Sequence, residues 1–298
     1  MLTSDMVKRR ALELGATVCR IGKIYDEPDK QRDPRMILPN AKCIIGFGFA
    51  VPKGIYMAMN RGNQYYTYTT MGVKYIDEEM AEIFLLKMGG MIENEGYDAC
   101  LQKAVPNLRI KGDKTTNPEV VDTYELIYAE AVEEGKPAPD VIIDFGKAAK
   151  ACGLGETGLS GKIINKEYGP FMRYCFIITD MPLDFDEPLE ESICDKCGAC
   201  IEACPGKAIS PEGLDTWQCS VYYKGAHKSN PFITEEFLKD NPERDAILNG
   251  EKRFDAESAR EIYKEMDFLP NTQWGYAPCL CGRQCDIACY KHLKGELE

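Results

Sequence analysis

The sequence predicts a mixed α/β domain over residues 1–188, followed by a cysteine-rich module over 189–298 with a helical insertion at about 230–270. Three observations predict it. Stretches of strand and helix character alternate through residue 183. An acidic, proline-containing stretch, 183–191, then reads as a linker. Past it, hydrophobic content falls and cysteine takes over, the composition of small modules held by metal instead of a large core.

The first element reads as a helix with Ser4 as cap, Met6, Ala11, Leu12 and Leu14 as its apolar face, and Gly15 as its stop. Residues 43–51, CIIGFGFAV, form a continuous apolar run, the pattern of a strand buried on both sides. Between Asp77 and about Asn94, Met80, Ile83, Phe84, Leu86 and Met91 recur at helical spacing. A third helix starts with Asn117 as cap and Pro118 at its first position, and carries Val121, Tyr124 and Tyr128 on one face toward Gly135. After a proline-rich break at 136–139, the β-branched run VIIDF at 141–145 predicts a strand. Residues 147–152 form a short helix ended by Gly153 and Gly155, and 174–179, YCFIIT, a second buried strand. In the insertion one helix begins near Thr234. Another begins near Asp255, with Ala259, Ile262 and Met266 as its face.

At 298 residues and 44% hydrophobic, the chain can bury a sizeable core. A net charge of −12 argues against a nucleic-acid partner, because phosphate binding needs clustered lysine and arginine. No apolar run reaches bilayer length, and the opening residues lack the apolar stretch of an export signal. The expectation is a soluble, cytoplasmic protein with no membrane partner. Its cysteine load implies a reducing, anaerobic cell interior.

Nine of the fourteen cysteines fall between 194 and 289 at ligand spacing. The other five, Cys19, Cys43, Cys100, Cys152 and Cys175, lie mostly among apolar neighbours and read as small buried hydrophobes. Cys194, Cys197, Cys200 and Cys204 are separated by two, two and three residues, and Pro205 follows. This is the bacterial ferredoxin pattern, in which three thiolates hold one four-iron cluster and the fourth holds a second. Zinc sites come as two cysteine pairs far apart, without the closing Cys-Pro. Two [4Fe-4S] clusters are therefore predicted, and the chain moves electrons. The same logic gives Cys289 to the first cluster. Cys204 and Cys285 go to the second, and Cys219, Cys279 and Cys281 compete for its two remaining places.

Three more stretches accompany the cysteine run in order: IDFGKAAKACGLGETG at 143–158, IITDMPL at 177–183 and LDTWQCSVYY at 214–223. Together they resemble the epoxyqueuosine reductase and reductive dehalogenase group of iron–sulfur proteins. The resemblance runs from roughly residue 40 to the C-terminus and is dense between 141 and 223. It implies a nitroreductase-like α+β sandwich that holds base-off cobalamin and is fed by a ferredoxin-like two-cluster module. It also implies Cys219 as a second-cluster ligand. For the last place Cys281 is chosen over Cys279, because its spacing to Cys285 puts both on one helical face. The chain departs from the family pattern at Glu156 and Thr157 and at Tyr290, which replaces a proline. The family's tRNA-binding region and any basic patch are missing, so the expected substrate is a small organic molecule and the expected donor a ferredoxin- or flavodoxin-type protein.

Asp144, at the end of the 141–145 stretch, matches the family's acidic residue and is a candidate proton donor. The same position suits a helix cap. Tyr66, among Tyr65, Tyr66 and Tyr68, is the second catalytic candidate, because dehalogenases use a tyrosine as proton donor. These alternating aromatics equally fit the packing of a partly buried strand or loop. Gly153, Gly155 and Gly158 mimic half of a dinucleotide fingerprint, but they follow a helix instead of a strand, which argues against nicotinamide. With Gly161 they are candidates for close backbone approach to cobalamin or, less favoured, a flavin. An electron carrier without cobalamin is the rival reading.

Overall fold

The computed structural model describes residues 2–104, 131–137, 140–266 and 278–297. The chain opens with α1 (Ser4–Glu13), β1 (Val18–Lys23), α2 (Pro34–Ile37), β2 (Cys43–Ala50), α3 (Lys53–Asn60) and α4 (Tyr66–Thr69). A π-helix over Thr70–Met80 runs directly into α5 (Ala81–Glu93), and β3 (Ala99–Gln102) follows. Next come α6 (Phe145–Ala151), a small hairpin of β4 (Glu156–Thr157) and β5 (Ile163–Ile164), and β6 (Met172–Thr179). The cysteine-rich part holds α7 (Ala199–Glu202), the hairpin β7 (Ile209–Ser210) and β8 (Gly213–Leu214), α8 (Thr216–Tyr223), α9 (Arg244–Leu248), α10 (Ala256–Met266) and α11 (Gln284–Lys294).

Helix and sheet are mixed, as the sequence predicts, but every strand pairing is antiparallel. The main sheet has the order β1-β2-β6-β3, with Ile45 opposite Ile177 and Ile21 opposite Ile45 in register. Both faces are covered, which explains the unbroken apolar runs. On β2, Cys43, Ile45, Phe47 and Phe49 face one core with Phe84, Leu85 and Met88 of α5. Ile44 faces the other, with Ala148, Leu154 and Phe176. The alternation is the ordinary two-residue period of a strand, with apolar residues at both phases. Gly46 keeps the second face thin: a Cβ there would come within 2.9 Å of the Phe176 ring.

Several local expectations need correction. Thr3, not Ser4, caps α1, its hydroxyl accepting the Met6 N–H at 3.3 Å. Ser4 is buried, and its hydroxyl accepts the Asp184 N–H at 2.7 Å. The helix accordingly turns Val7 and Ala11 inward, and leaves Met6 and Leu12 exposed. Residues 141–144 form no strand, because Asp144 caps α6 and Ile143 drops into the second core. Thr234 lies in a series of turns and not in a helix. In the 77–94 helix the inward face is Phe84, Leu85, Met88 and Ile92, while Ile83 and Leu86 are exposed. Tyr66 and Tyr68 belong to a helix instead of a strand or loop. The helix predicted from Asn117 lies outside the described residues.

The polar insertion packs Phe254, Ala259 and Ile262 against Trp217 and Val221 of α8 to form a further core in the cysteine-rich part. The C-terminal helix returns to the main core through Ile287, and Tyr290 stacks on Phe171, which stacks on Tyr56, at centroid distances of 4.4 and 3.6 Å. Among the described residues no helix is long and apolar enough to cross a membrane.

Candidate metal centre

Cysteine runs need sharp turns so that successive sulfurs converge. Here Lys196 and Gly198 take φ of 58° and 84°, the left-handed region, between the first three cysteines of the run. The Asp195 carboxylate accepts the Cys197 N–H at 3.0 Å and pairs with His292 Nε2 at 2.7 Å. Glu156, on the β4–β5 hairpin, anchors the start of the run: one carboxylate oxygen accepts the Ile193 N–H at 2.5 Å, the Cys194 N–H at 2.8 Å and the Ser192 hydroxyl. Burial alone would raise this carboxyl, but those hydrogen bonds outweigh it and hold it below the ordinary value. The result is a first group, Cys194, Cys197, Cys200 and Cys289, lining one cavity with Ser160 and His292 at its edge.

Cys204 faces away from this group, one helical turn beyond Cys200. It lines a second cavity with Cys219, Cys281 and Cys285, and its Sγ accepts the Ala208 N–H at 3.3 Å. Ser160 lines both cavities. Cys279 is fully buried and does not line the second cavity; its Sγ lies 3.7 Å from that of Cys281. Burial pushes the Cys219 thiol up to about 12, with Cys281 adding to the effect, and burial likewise raises Cys285 and Cys289. Thiols with such pKa values ionise only if a cation takes the charge. Four converging sulfurs are the donor set of a four-iron cubane, and both groups fit one. The second cavity is about 140 Å³, below the roughly 300–1,000 Å³ that hold drug-sized ligands. Its four sulfurs suit a cubane.

Two cations border the second group. Arg283, between Cys281 and Cys285, has φ of 49° and is buried; it donates to the fully buried Asp286 at 2.7 and 2.6 Å. Lys162, on the β4–β5 hairpin, faces the same cavity. Burial, with help from Arg283 and Arg173, pulls its ammonium down to about 8. Arg173 is itself held by Asp77 of the π-helix, its Nε donating at 2.9 Å beside a second, shorter contact. Neither Lys162 nor Arg283 was singled out from the sequence. The signal for Arg283 was its place inside the last cysteine run.

Of the other predicted site residues, Gly161 lines the second cavity and Gly158 lies beside Cys194, whereas Asp144, Tyr66, Gly153 and Gly155 line neither cavity. Asp144 accepts the Lys147 N–H at 3.0 Å as the cap of α6, and its other oxygen lies 3.5 Å from Arg32. Tyr66 opens α4, its carbonyl accepting the Thr69 and Thr70 hydroxyls, and burial raises its phenol. Neither lines either cysteine cavity. Gly153 packs against Arg20 and the Glu187 carbonyl, Gly155 against Ile164, Gly158 against Ile164 with Cys194 beyond, and Gly161 against Leu214. A separate cavity of about 420 Å³ is lined by Met36, Ile37, Glu133, Lys136 and Asp140, and by none of the cysteines.

Residues 188–210 match the family described as a 4Fe-4S binding domain. The chain is 40% identical over 109 residues to the epoxyqueuosine reductase of Leadbetterella byssophila, covering 35% of this chain and 36% of that one. It is 26% identical over 218 residues to the epoxyqueuosine reductase of Bacillus cereus, covering 72% and 48%. The chain thus spans about half, or less, of the length of the curated relatives it matches. Among solved structures, the epoxyqueuosine reductase of Bacillus subtilis aligns over 98% of this chain and 82% of its own, with a TM-score of 0.51 and 15% identity. An epoxyqueuosine reductase bound to a modified tRNA stem loop aligns over 98% and 81%, with a TM-score of 0.50 and 15% identity. A reductive dehalogenase described for B12-dependent dehalogenation aligns over 89% and 36%, with a TM-score of 0.50 and 14% identity. The resemblance therefore holds in sequence for epoxyqueuosine reductases and in fold for both epoxyqueuosine reductases and reductive dehalogenases. One expectation is overturned: with relatives that are epoxyqueuosine reductases, one of them seen on a tRNA stem loop, the acidic charge balance does not exclude a nucleic-acid partner.

Proposed function

We propose that this chain is an iron–sulfur oxidoreductase. It takes electrons singly from a ferredoxin- or flavodoxin-type donor and passes them through two four-iron centres to a reducible acceptor. The observation that carries this reading is the convergence of eight cysteines into two groups of four. Cys194, Cys197, Cys200 and Cys289 would hold one centre, and Cys204, Cys219, Cys281 and Cys285 the other. Such clusters, when bound, supply reversible one-electron storage at low potential.

The chain's own residues do the rest. Cys197 is exposed, so a donor protein can approach the first group. Glu156 fixes the backbone of Cys194, and Asp195 fixes that of Cys197. Tyr222, Leu214 and Ile209 line the second group with apolar surface. The names of the relatives support a modified nucleoside within RNA as the first acceptor class to assay, with a small organic molecule as the second. A corrinoid is supported by the dehalogenase likeness alone, and no step is derived through it.

The test is stopped-flow reoxidation of the reduced, cluster-loaded protein. The acceptors are an epoxyqueuosine-bearing tRNA stem loop and a halogenated phenol, each with and without added cobalamin. Reoxidation coupled to loss of the epoxide oxygen or of halide is the expected result. No acceptor-dependent reoxidation under any of these conditions would overturn the reductase reading in favour of an electron carrier.

A further inference from the structure

The β4–β5 hairpin touches both cysteine groups. Glu156 at its start holds the Cys194 backbone, Ser160 at its turn borders both cavities, and Lys162 faces the second. The charges around the two groups differ in kind. Those at the first, Asp195, Lys196 and His292, are exposed, so solvent and salt screen them. At the second, Arg283 is neutralised by the buried Asp286. Lys162 has no carboxylate hydrogen-bonded to it among the described residues. Lys162 is half-buried and lines that cavity, so among the described residues it is the cation there without a hydrogen-bonded carboxylate, and screening beside it is weaker than at the surface.

Four thiolate ligands give any iron centre net negative charge, and each added electron costs more in a buried site than at the surface. Left alone, burial would make the inner centre harder to reduce than the exposed one and would stall electrons at the surface. A fixed ammonium beside the inner ligands reverses that order. From this geometry we infer that Lys162 sets the direction of electron flow, by raising the reduction potential of the centre held by Cys204, Cys219, Cys281 and Cys285 above that of the outer one. The step is the transfer of one electron inward, from a centre reduced by the ferredoxin- or flavodoxin-type donor. No bond is made or broken. Lys162 is a positioning residue for charge and touches no substrate.

This inference rests on the two-centre reading, and the test separates the two. Native protein, Lys162→Met and Lys162→Arg are loaded with iron and sulfide without oxygen, assayed for iron, and titrated against potential by electron paramagnetic resonance. A Cys219→Ser variant assigns the inner signal. Lys162→Met is expected to keep the native iron content and to shift the inner–outer electron equilibrium outward at least tenfold, about 59 mV for a one-electron couple. Lys162→Arg should stay near native, and the outer signal should not move. An unmoved inner signal in Lys162→Met at full iron content, or equal movement of both signals, would overturn the role of Lys162 and leave the two centres standing. A native chain that binds only about four irons overturns both.

Discussion

His227 is buried, with Nδ1 against the Ser229 hydroxyl at 2.8 Å and Nε2 without a hydrogen-bond partner among the described residues. Burial pulls its imidazole down to about 4, against a smaller opposing contribution from the Leu280 backbone. The unfolded chain, with an ordinary histidine near 6.5, takes up the proton first. The resulting stability is full above that value and is lost as pH falls toward the folded one. The expected loss between about pH 7 and pH 5 is on the order of 2 kcal/mol, read as a fall in urea midpoint that flattens in His227→Gln. An equal slope in the variant would mean that other groups carry it. No sequence signal marked this residue, since a histidine in a polar stretch looks the same whether or not it is buried. Asp144 was legible in both of its senses, and the geometry gives it the capping one. Glu156 read only as a departure from the family pattern, because its three hydrogen bonds reach residues far along the chain.

At the scale of elements, the turn leading into α11 decides which cysteine completes the second group. Cys281 lines the cavity and Cys279 sits buried behind it. Cys281→Ser should therefore lose about half of the bound iron, whereas Cys279→Ser should keep all of it; the reverse pattern would exchange the two residues. The sequence favoured Cys281 on a shared helical face with Cys285, but the structure places Cys281 in the turn before α11, separated from the helix by the left-handed Arg283. The π-helix was not legible. Its residues Asp77 and Met80 were read in α-helical phase, but the wider turn swings Asp77 inward to Arg173 on β6. Such a register needs a tertiary partner to hold it, and π-turns are frequent at functional sites. The strand β2 was legible, because eight residues that are nearly all apolar leave few alternatives.

At the scale of the molecule, the sequence marked β2 and β6 and the helices α1, α5, α6 and α10, but neither β1 nor β3, and not how the strands pair. Apolar runs at 43–51 and 174–179 suit any sheet covered on both faces, whichever way its strands run. Long connections separate β2 from β6, and nothing local fixes the direction of such partners. The return of α11 to the main core was hidden for the same reason, since Ile287 and Tyr290 look like an ordinary amphipathic helix until Phe171 is placed opposite. The proposed cysteine partition was read from spacing, because ligand spacing is local chemistry. The account depends on it, and the most direct test is iron and acid-labile sulfide per chain, with the spectrum of the reduced state, on protein prepared without oxygen. About eight irons and eight sulfides per chain, with two interacting paramagnets, is the predicted result. About four irons, or zinc in place of iron, would contradict it.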